Sequence, residues 1–273
     1  MVSAPIRRLG QARIVGGMNI RLSRIAAYIP KDIRVWRAVG SVQFLRYLVA
    51  RKGSILRMFI HGDVILIRKG SPDLRVAVTS LNGEFDLPAW FLSLEFEGVI
   101  VDAGGYIGTA AIAFSKLFPK SQVITVEPSL SNIEILRENV SGHSRIQVIH
   151  GALVGVQRPT VTLYNPGLRE WGFTTSENHK GSEPTNRMYE VPALRVSDLG
   201  VDVAEIGLLK MDIEGGEFEI LTHDRENLSS IRVIIVELHE RYVDSCEKAF
   251  SDFSRNRTVV KLAGEKFVSV AAR

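Results

Sequence analysis

Beyond Gly98 the chain alternates short apolar, β-branched runs with segments of helical spacing, and that alternation dictates a parallel sheet assembled from βαβ units. The runs are Val99 to Ala103, Gln122 to Glu127, Ile146 to Ile149, Gly207 to Ile213 and Arg232 to Leu238. They are apolar nearly throughout, as strands covered on both faces must be. The helices between them carry their own ends. Ile107 to Phe118 is stopped by Pro119, and Ser131 to Val140 opens on a Ser131-x-x-Glu134 capping pair and closes at Gly142. Thr258 to Ala263 and Lys266 to Ala271, about Gly264-Glu265, read as a closing antiparallel hairpin. Residues 155 to 192 break the rhythm with prolines and glycines around a Val161-Thr162-Leu163-Tyr164 strand, an excursion of a length that usually serves function.

Upstream, apolar residues at helical spacing predict a helix from Val35 to Leu56, and shorter runs from Met58 to Ala77 predict hairpin strands turning at Gly62-Asp63. Three parts follow: a basic helical segment over residues 1–57, a small β lead-in over 58–97 and an α/β domain over 98–273.

Charge is distributed unevenly among them. Residues 1–57 hold twelve Lys or Arg against the single acid Asp32, a balance of +11, while the remainder stands at −7. With Trp36, Phe44 and Tyr47 interleaved, such a leader suits peripheral contact with an anionic surface, whether lipid, nucleic acid or an acidic protein face; the bland reading is a helix whose charges are simply solvated. Cys246 is the only cysteine, so there is no internal disulfide or cysteine-based metal site, and a reducing, cytoplasmic setting is expected. Charged residues interrupt every apolar stretch well short of the roughly 18 to 20 residues of a membrane span.

The first strong strand runs into Asp102-Ala103-Gly104-Gly105-Tyr106-Ile107-Gly108 and then a helix. Glycines at such a turn let backbone N–H groups approach a ligand, although they also serve close helix packing. Glu127 follows at the end of the second strand, where a carboxylate accepts both hydroxyl protons of a ribose. A nucleoside-containing cofactor is therefore expected. The glycine order differs from the G-x-G-x-x-G of a dinucleotide site, and Asp102 would repel a pyrophosphate while suiting the cationic tail of S-adenosylmethionine.

At these residues the chain resembles the FkbM-type S-adenosylmethionine-dependent methyltransferases. Their opening motif, roughly D-x-G-A-N-x-G, stands here as DAGGYIG, with Tyr106 in the place of the usual Asn. A second motif, L-K-x-D-x-E-G-x-E, is matched by Leu209-Lys210-Met211-Asp212-Ile213-Glu214-Gly215-Gly216-Glu217. Trp171-Gly172 and Val236-Glu237-Leu238-His239 are further landmarks, and upstream Arg75 and Thr79-Ser80 are present with Leu81 where members have Asp. The resemblance implies a Rossmann-like class I methyltransferase fold: a mostly parallel twisted sheet, helices on both faces and a C-terminal antiparallel hairpin. It also implies S-adenosyl-L-methionine as cofactor and O-methylation of a hydroxyl on a sugar, glycan or secondary metabolite. The expected cofactor-binding residues are Asp102, Gly104, Gly105, Tyr106, Gly108, Glu127, Pro128 and Ala152.

In an extended strand Lys210, Asp212 and Glu214 share a side, which places Asp212 beside Lys210 at the rim where open α/β sheets bind ligands. Glu237 and His239 alternate likewise on the neighbouring strand. Asp212, Glu214, Glu237 and His239 are the expected catalytic cluster, with Asp212 or His239 as base and the others positioning the acceptor or, as a lesser option, a divalent cation. A nicotinamide oxidoreductase, and a nucleic-acid-binding methyltransferase or adaptor using the basic segment, are the competing functions.

Overall fold

Val99–Ala103 (β3) is buried at all five positions and pairs in parallel on both sides, so it lies at the centre of the main sheet. The computed structural model describes residues 31–165, 172–175, 186–240 and 243–272. Before β3 come α1 (Lys31–Val49), the antiparallel pair β1 (Ile55–Ile60) and β2 (Asp63–Arg68), α2 (Asp73–Leu81) and the short α3 (Asp86–Ala89). After it the chain continues through α4 (Thr109–Leu117), β4 (Gln122–Glu127), α5 (Leu130–Val140) and β5 (Ile146–His150). The excursion supplies β6 (Ala152–Leu153), β7 (Thr160–Asn165) and β8 (Asn186–Leu194). The last third adds β9 (Ile206–Met211), α6 (Glu217–His223), α7 (Arg225–Ser230), β10 (Val233–Glu237), α8 (Cys246–Phe253), β11 (Arg257–Lys261) and β12 (Lys266–Ala271).

The main sheet has seven strands in the order β11-β12-β10-β9-β3-β4-β5. The five strands from β5 to β10 make four parallel pairings, and β12 then inserts antiparallel between β10 and β11. This is the class I methyltransferase form of the doubly wound fold, as the sequence predicts. The strand order reverses between β3 and β9, and ligands bind outside the carboxyl ends of strands at such a switch point.

Alternate strand residues feed opposite faces. Val101, Ile124, Leu209, Ile234 and Val236 pack with Ile220, Leu228 and Phe250 on one side. Ile100, Val123, Leu208 and Ile235 pack with Ala111, Phe114 and Phe118 on the other. The lead-in is not a separate body. Val35 and Val39 of α1, Ile60, Ile65 and Ile67 of the hairpin and Val78 of α2 share one cluster with Ile112 of α4 and Leu136 of α5.

Three local expectations are corrected. The first helix stops at Val49 rather than Leu56, because Gly53 turns the chain at φ 86° and Ile55 pairs with Arg68. Gly40, at φ 77°, also breaks that helix internally. The lead-in is not all β: Leu74, Ala77 and Val78 bury one helical face of α2 behind the acidic first-turn residue Asp73. Finally, α5 begins at Leu130 with Ser129 in the N-cap position, since the Glu127 carboxylate accepts the Ser129 N–H and fixes the entry two residues earlier than Ser131.

Candidate functional site

The carboxyl ends of β3, β4 and β9 surround one cavity of about 860 Å³. Gly104, Gly105, Tyr106, Glu127, Pro128 and Ala152 line one part of it, and Asp212, Glu214 and Glu237 line another. Sequence reasoning thus brings most of its two candidate sets to a single place.

The cofactor loop is held by backbone geometry. Gly104 has φ 80°, and a Cβ there would lie 1.9 Å from the carbonyl oxygen of Asp212, so glycine is required both for conformation and for contact between the two loops. Tyr106 is also left-handed, at φ 49°, a conformation that Asn tolerates better than Tyr. Its side chain compensates: the hydroxyl donates a short hydrogen bond to Asp73, and the Arg68 guanidinium carbon lies 5.4 Å from the ring centroid. Asp73 in turn is held by Arg68 at 2.9 Å. The departure from the family motif is therefore absorbed by the lead-in.

Glu127 is almost fully buried. It accepts hydrogen bonds from the N–H groups of Tyr106 at 2.8 Å and Ser129 at 2.9 Å, and from the Asn132 side chain at 3.1 Å. Burial pushes its pKa up to about 7 against the pull of these donors. A carboxylate so placed at the end of the second strand, lining the cavity, fits the ribose of an adenosyl cofactor.

Asp102 and Gly108 are placed differently from expectation. Neither lines the cavity. Asp102 has no exposed surface; Lys210 Nζ reaches it at 2.8 Å and Thr125 Oγ1 donates to it at 3.2 Å, forming a row across β4, β3 and β9. Its charge is consumed inside the sheet rather than offered to a ligand's tail. Gly108 has φ 86°, and a Cβ there would come within 2.9 Å of Val140, so it serves helix packing. Lys210, expected beside Asp212, is instead the cross-strand partner of Asp102. Burial would lower its pKa, but Asp102 and then Asp212 more than offset that, and it stays cationic.

The acidic loop continues past the strand: β9 ends at Met211, so Asp212 to Gly216 form the turn into α6, with Glu214 left-handed at φ 52°. Glu217 pins that turn by accepting the N–H groups of Ile213 at 2.9 Å and Gly215 at 2.8 Å. His239, expected as a base, is buried and off the cavity lining. Its Nδ1 lies 2.9 Å from Glu217 Oε1, and its Nε2 lies 3.3 Å from Glu214 and 3.8 Å from Asp212. Burial disfavours the imidazolium, yet Glu217 foremost, then Glu214 and Asp212, push its pKa up to about 10. Off the cavity wall and with its ring nitrogens turned to Glu217 and Glu214, His239 is not placed to take a proton from an acceptor in the cavity; it stands behind the acidic loop.

Asp212 keeps 30% of its side chain exposed. Burial raises its pKa, but the charges of Lys210, His239 and Lys266 prevail and hold it below the ordinary carboxylate range. Glu237 moves up, through burial and then the neighbouring Asp212 charge, with Lys266 Nζ at 3.3 Å. Asp212 is thus the ionised acceptor at the cavity wall. Asp212, Glu214 and His239 each offer a ligand atom within 4.8 Å of the others, and these are the described residues that could hold a cation.

Other cavity residues were not singled out by sequence. Phe173 and Thr175 of the excursion reach the lining, and Thr174 Oγ1 donates to the Glu214 carbonyl at 2.6 Å. Trp171 lies outside the described residues. Lys266, Glu84, Asn132 and Arg34 also line the cavity. Arg75, noted upstream, joins them there. The excursion's length is the one signal that pointed to Phe173 and Thr175.

A model of the methyltransferase FkbM domain matches residues 102–264, a span that includes both loops. The chain belongs to the FkbM methyltransferase family. Among curated relatives, Methyltransferase 1 of Beauveria bassiana (strain ARSEF 2860) is 24% identical over 188 residues, covering 62% of this chain and 72% of that protein. Methyltransferase sdnD of Sordaria araneosa is 23% identical over 171 residues, covering 52% of this chain and 66% of that one. Of solved structures, the SAH-bound Podospora anserina methyltransferase PaMTH1 is 13% identical with a TM-score of 0.43, spanning 96% of this chain and 100% of its own. M. jannaschii TYW2 in complex with AdoMet is 13% identical with a TM-score of 0.40, over 81% and 86% of the two chains.

Proposed function

We propose that this FkbM-family methyltransferase uses S-adenosylmethionine to methylate a hydroxyl oxygen of a small molecule, a sugar, glycan or secondary metabolite. The observation that carries the reading is the shared cavity, in which Glu127 and the glycine loop adjoin Asp212 and Glu237. When bound, the cofactor supplies an electrophilic methyl carbon. Glu127, Pro128 and Ala152 would hold its nucleoside, and Gly104, Gly105 and Tyr106 would border its amino-acid end.

Asp212 would accept the hydrogen bond of the acceptor hydroxyl, aim its lone pair at the methyl and take the proton as the new C–O bond forms. A weak base suffices, because an alcohol oxygen becomes strongly acidic as it is alkylated. Glu214 and His239 fix the Asp212 loop, and Lys266 holds Glu237 at the opposite wall. The hydroxyl proton would leave through Asp212. A divalent cation on Asp212, Glu214 and His239 is a second reading that the 4.8 Å cluster favours; it would displace the Nε2 proton of His239, and loss of activity in EDTA with recovery on adding a divalent cation would mark it. A nucleic-acid acceptor has no comparable support. The basic segment of residues 1–57 would serve for peripheral contact with an anionic surface.

The test is release of S-adenosylhomocysteine by the purified full chain against a panel of sugars, glycans and aromatic or aliphatic alcohols. Asp212→Asn should lower turnover by about 100-fold or more, in line with loss of a general base, while leaving cofactor affinity within severalfold. Full turnover in that variant removes the assignment.

A further inference from the structure

Nine of the fifteen large hydrophobic side chains most exposed among the described residues lie between Ile33 and Val64. After the break at Gly40, the second half of α1 turns Gln43, Phe44 and Tyr47 toward the body and leaves Val42, Leu45, Leu48 and Val49 at 75%, 61%, 54% and 77% exposure. Their spacing puts them on one helical face. This face is not a fraying end: Gln43 Nε2 donates to the Phe59 carbonyl at 3.1 Å and Gln43 Oε1 accepts the Phe59 N–H at 2.6 Å, clamping α1 along β1. The hairpin adds exposed Ile55, Phe59 and Val64, the last two being cross-strand partners.

The charges carried by this segment share one sign. Residues 33–62 contain Arg34, Arg37, Arg46, Arg51, Lys52 and Arg57 and no acid. Asp63, which follows, is already paired with Lys116.

We infer that this face docks on a bilayer containing anionic lipid, with Val42, Leu45, Leu48 and Val49 entering the headgroup boundary and the surrounding arginines and lysines on lipid phosphates. An exposed aliphatic stripe in a segment whose charges are all basic is how a helix settles on a membrane interface, and cations close to an anionic bilayer are drawn to it. Charge argues against the other occupants. A symmetric dimer through the stripe would set six cations against the same six. Residues 1–30 hold five arginines and no acid, so that segment offers no charge complement to the cations of residues 33–62. Nucleic acid would use the cations and leave four aliphatic side chains unused. The inference rests on the peripheral contact proposed above and is independent of the acceptor's identity. Because α1 also gives Arg34 and Val35 to the cavity lining, docking would bring that wall of the site close to the bilayer.

The experiment is co-sedimentation of the full chain with vesicles of phosphatidylcholine alone and of phosphatidylcholine with phosphatidylserine, alongside the triple variant Val42→Ser, Leu45→Gln, Val49→Ser. Wild type should bind the phosphatidylserine vesicles at least about tenfold better, with binding falling as salt rises. The variant should lose about tenfold or more of that binding, since each tenfold corresponds to ~1.4 kcal/mol and several aliphatic groups are withdrawn from the interface. Stabilisation by S-adenosylhomocysteine should be unchanged in the variant, which separates loss of docking from loss of fold or of the cofactor site. Three results overturn the inference: no vesicle binding by wild type, equal binding by the variant, or a dimer in light scattering that the variant converts to monomer.

Discussion

Lys210 Nζ lies 2.8 Å from Asp102 Oδ1 across adjacent parallel strands, and both side chains are buried at the sheet's centre. The two motifs of this chain meet in that ion pair. Asp102 opens the glycine loop, Lys210 precedes the acidic loop, and their bond registers β3 against β9 just beneath the cavity.

Removing one partner leaves the other charge buried and unpaired. Lys210→Met and Asp102→Asn should each destabilise the protein by about 3 to 5 kcal/mol, whereas the double variant should recover much of that loss. Urea unfolding of the three variants measures it, and additive losses in the double variant would deny the pairing.

His239 confers a pH-dependent stability. Its folded pKa of about 10 lies above the ordinary histidine value of 6.5, so its stabilisation is complete below about pH 6.5 and is lost as pH rises toward 10. The fall should approach ~1.4 kcal/mol per pH unit within that window. Thermal unfolding between pH 6 and pH 10 should show wild type losing stability faster than His239→Gln, with the two curves converging at high pH.

Cofactor affinity should follow the ionisation of Glu127. The carboxylate, with a pKa of about 7, is the better acceptor for two ribose hydroxyls, so S-adenosylmethionine binding should weaken as pH falls from 8 to 6. Calorimetric titration of wild type and Glu127→Gln across that range checks this; the variant should bind about tenfold more weakly at pH 8 and show a flat profile.

Tyr106→Phe keeps the ring beneath Arg68 but removes the hydroxyl's bond to Asp73. A loss of about 1.5 to 3 kcal/mol is expected for a bond to a charged group. Differential scanning calorimetry with and without S-adenosylhomocysteine would show whether this stabilisation also sets the loop for its ligand.

The strands of the main sheet were legible because their apolar runs are continuous, and both loops were legible because glycines and acids stand together at strand ends. What escaped was set by neighbours far apart in sequence. Lys210 and Asp212 look like partners when the strand is read alone; the β3–β9 register, across 108 residues, gives Lys210 to Asp102 instead. His239 looks like a base until Glu217 and Glu214 close on both ring nitrogens. Phe173, Thr175 and Lys266 enter the cavity from segments whose local patterns describe only a loop and a hairpin. The short α2 is hard to tell from a strand in sequence because its buried apolar positions, Leu74, Ala77 and Val78, span little more than one turn.

The missing side chain at Gly104 bears on how this enzyme can diversify. With the Asp212 carbonyl seated where a Cβ would be, and the Asp212 N–H donating to the Ala103 carbonyl at 3.2 Å, the two loops behave as one mechanical part. Grafting either loop alone from a relative would misplace the other. New acceptor preferences are more readily installed from the periphery, at Phe173 or Thr175, where residues can be exchanged without disturbing that joint.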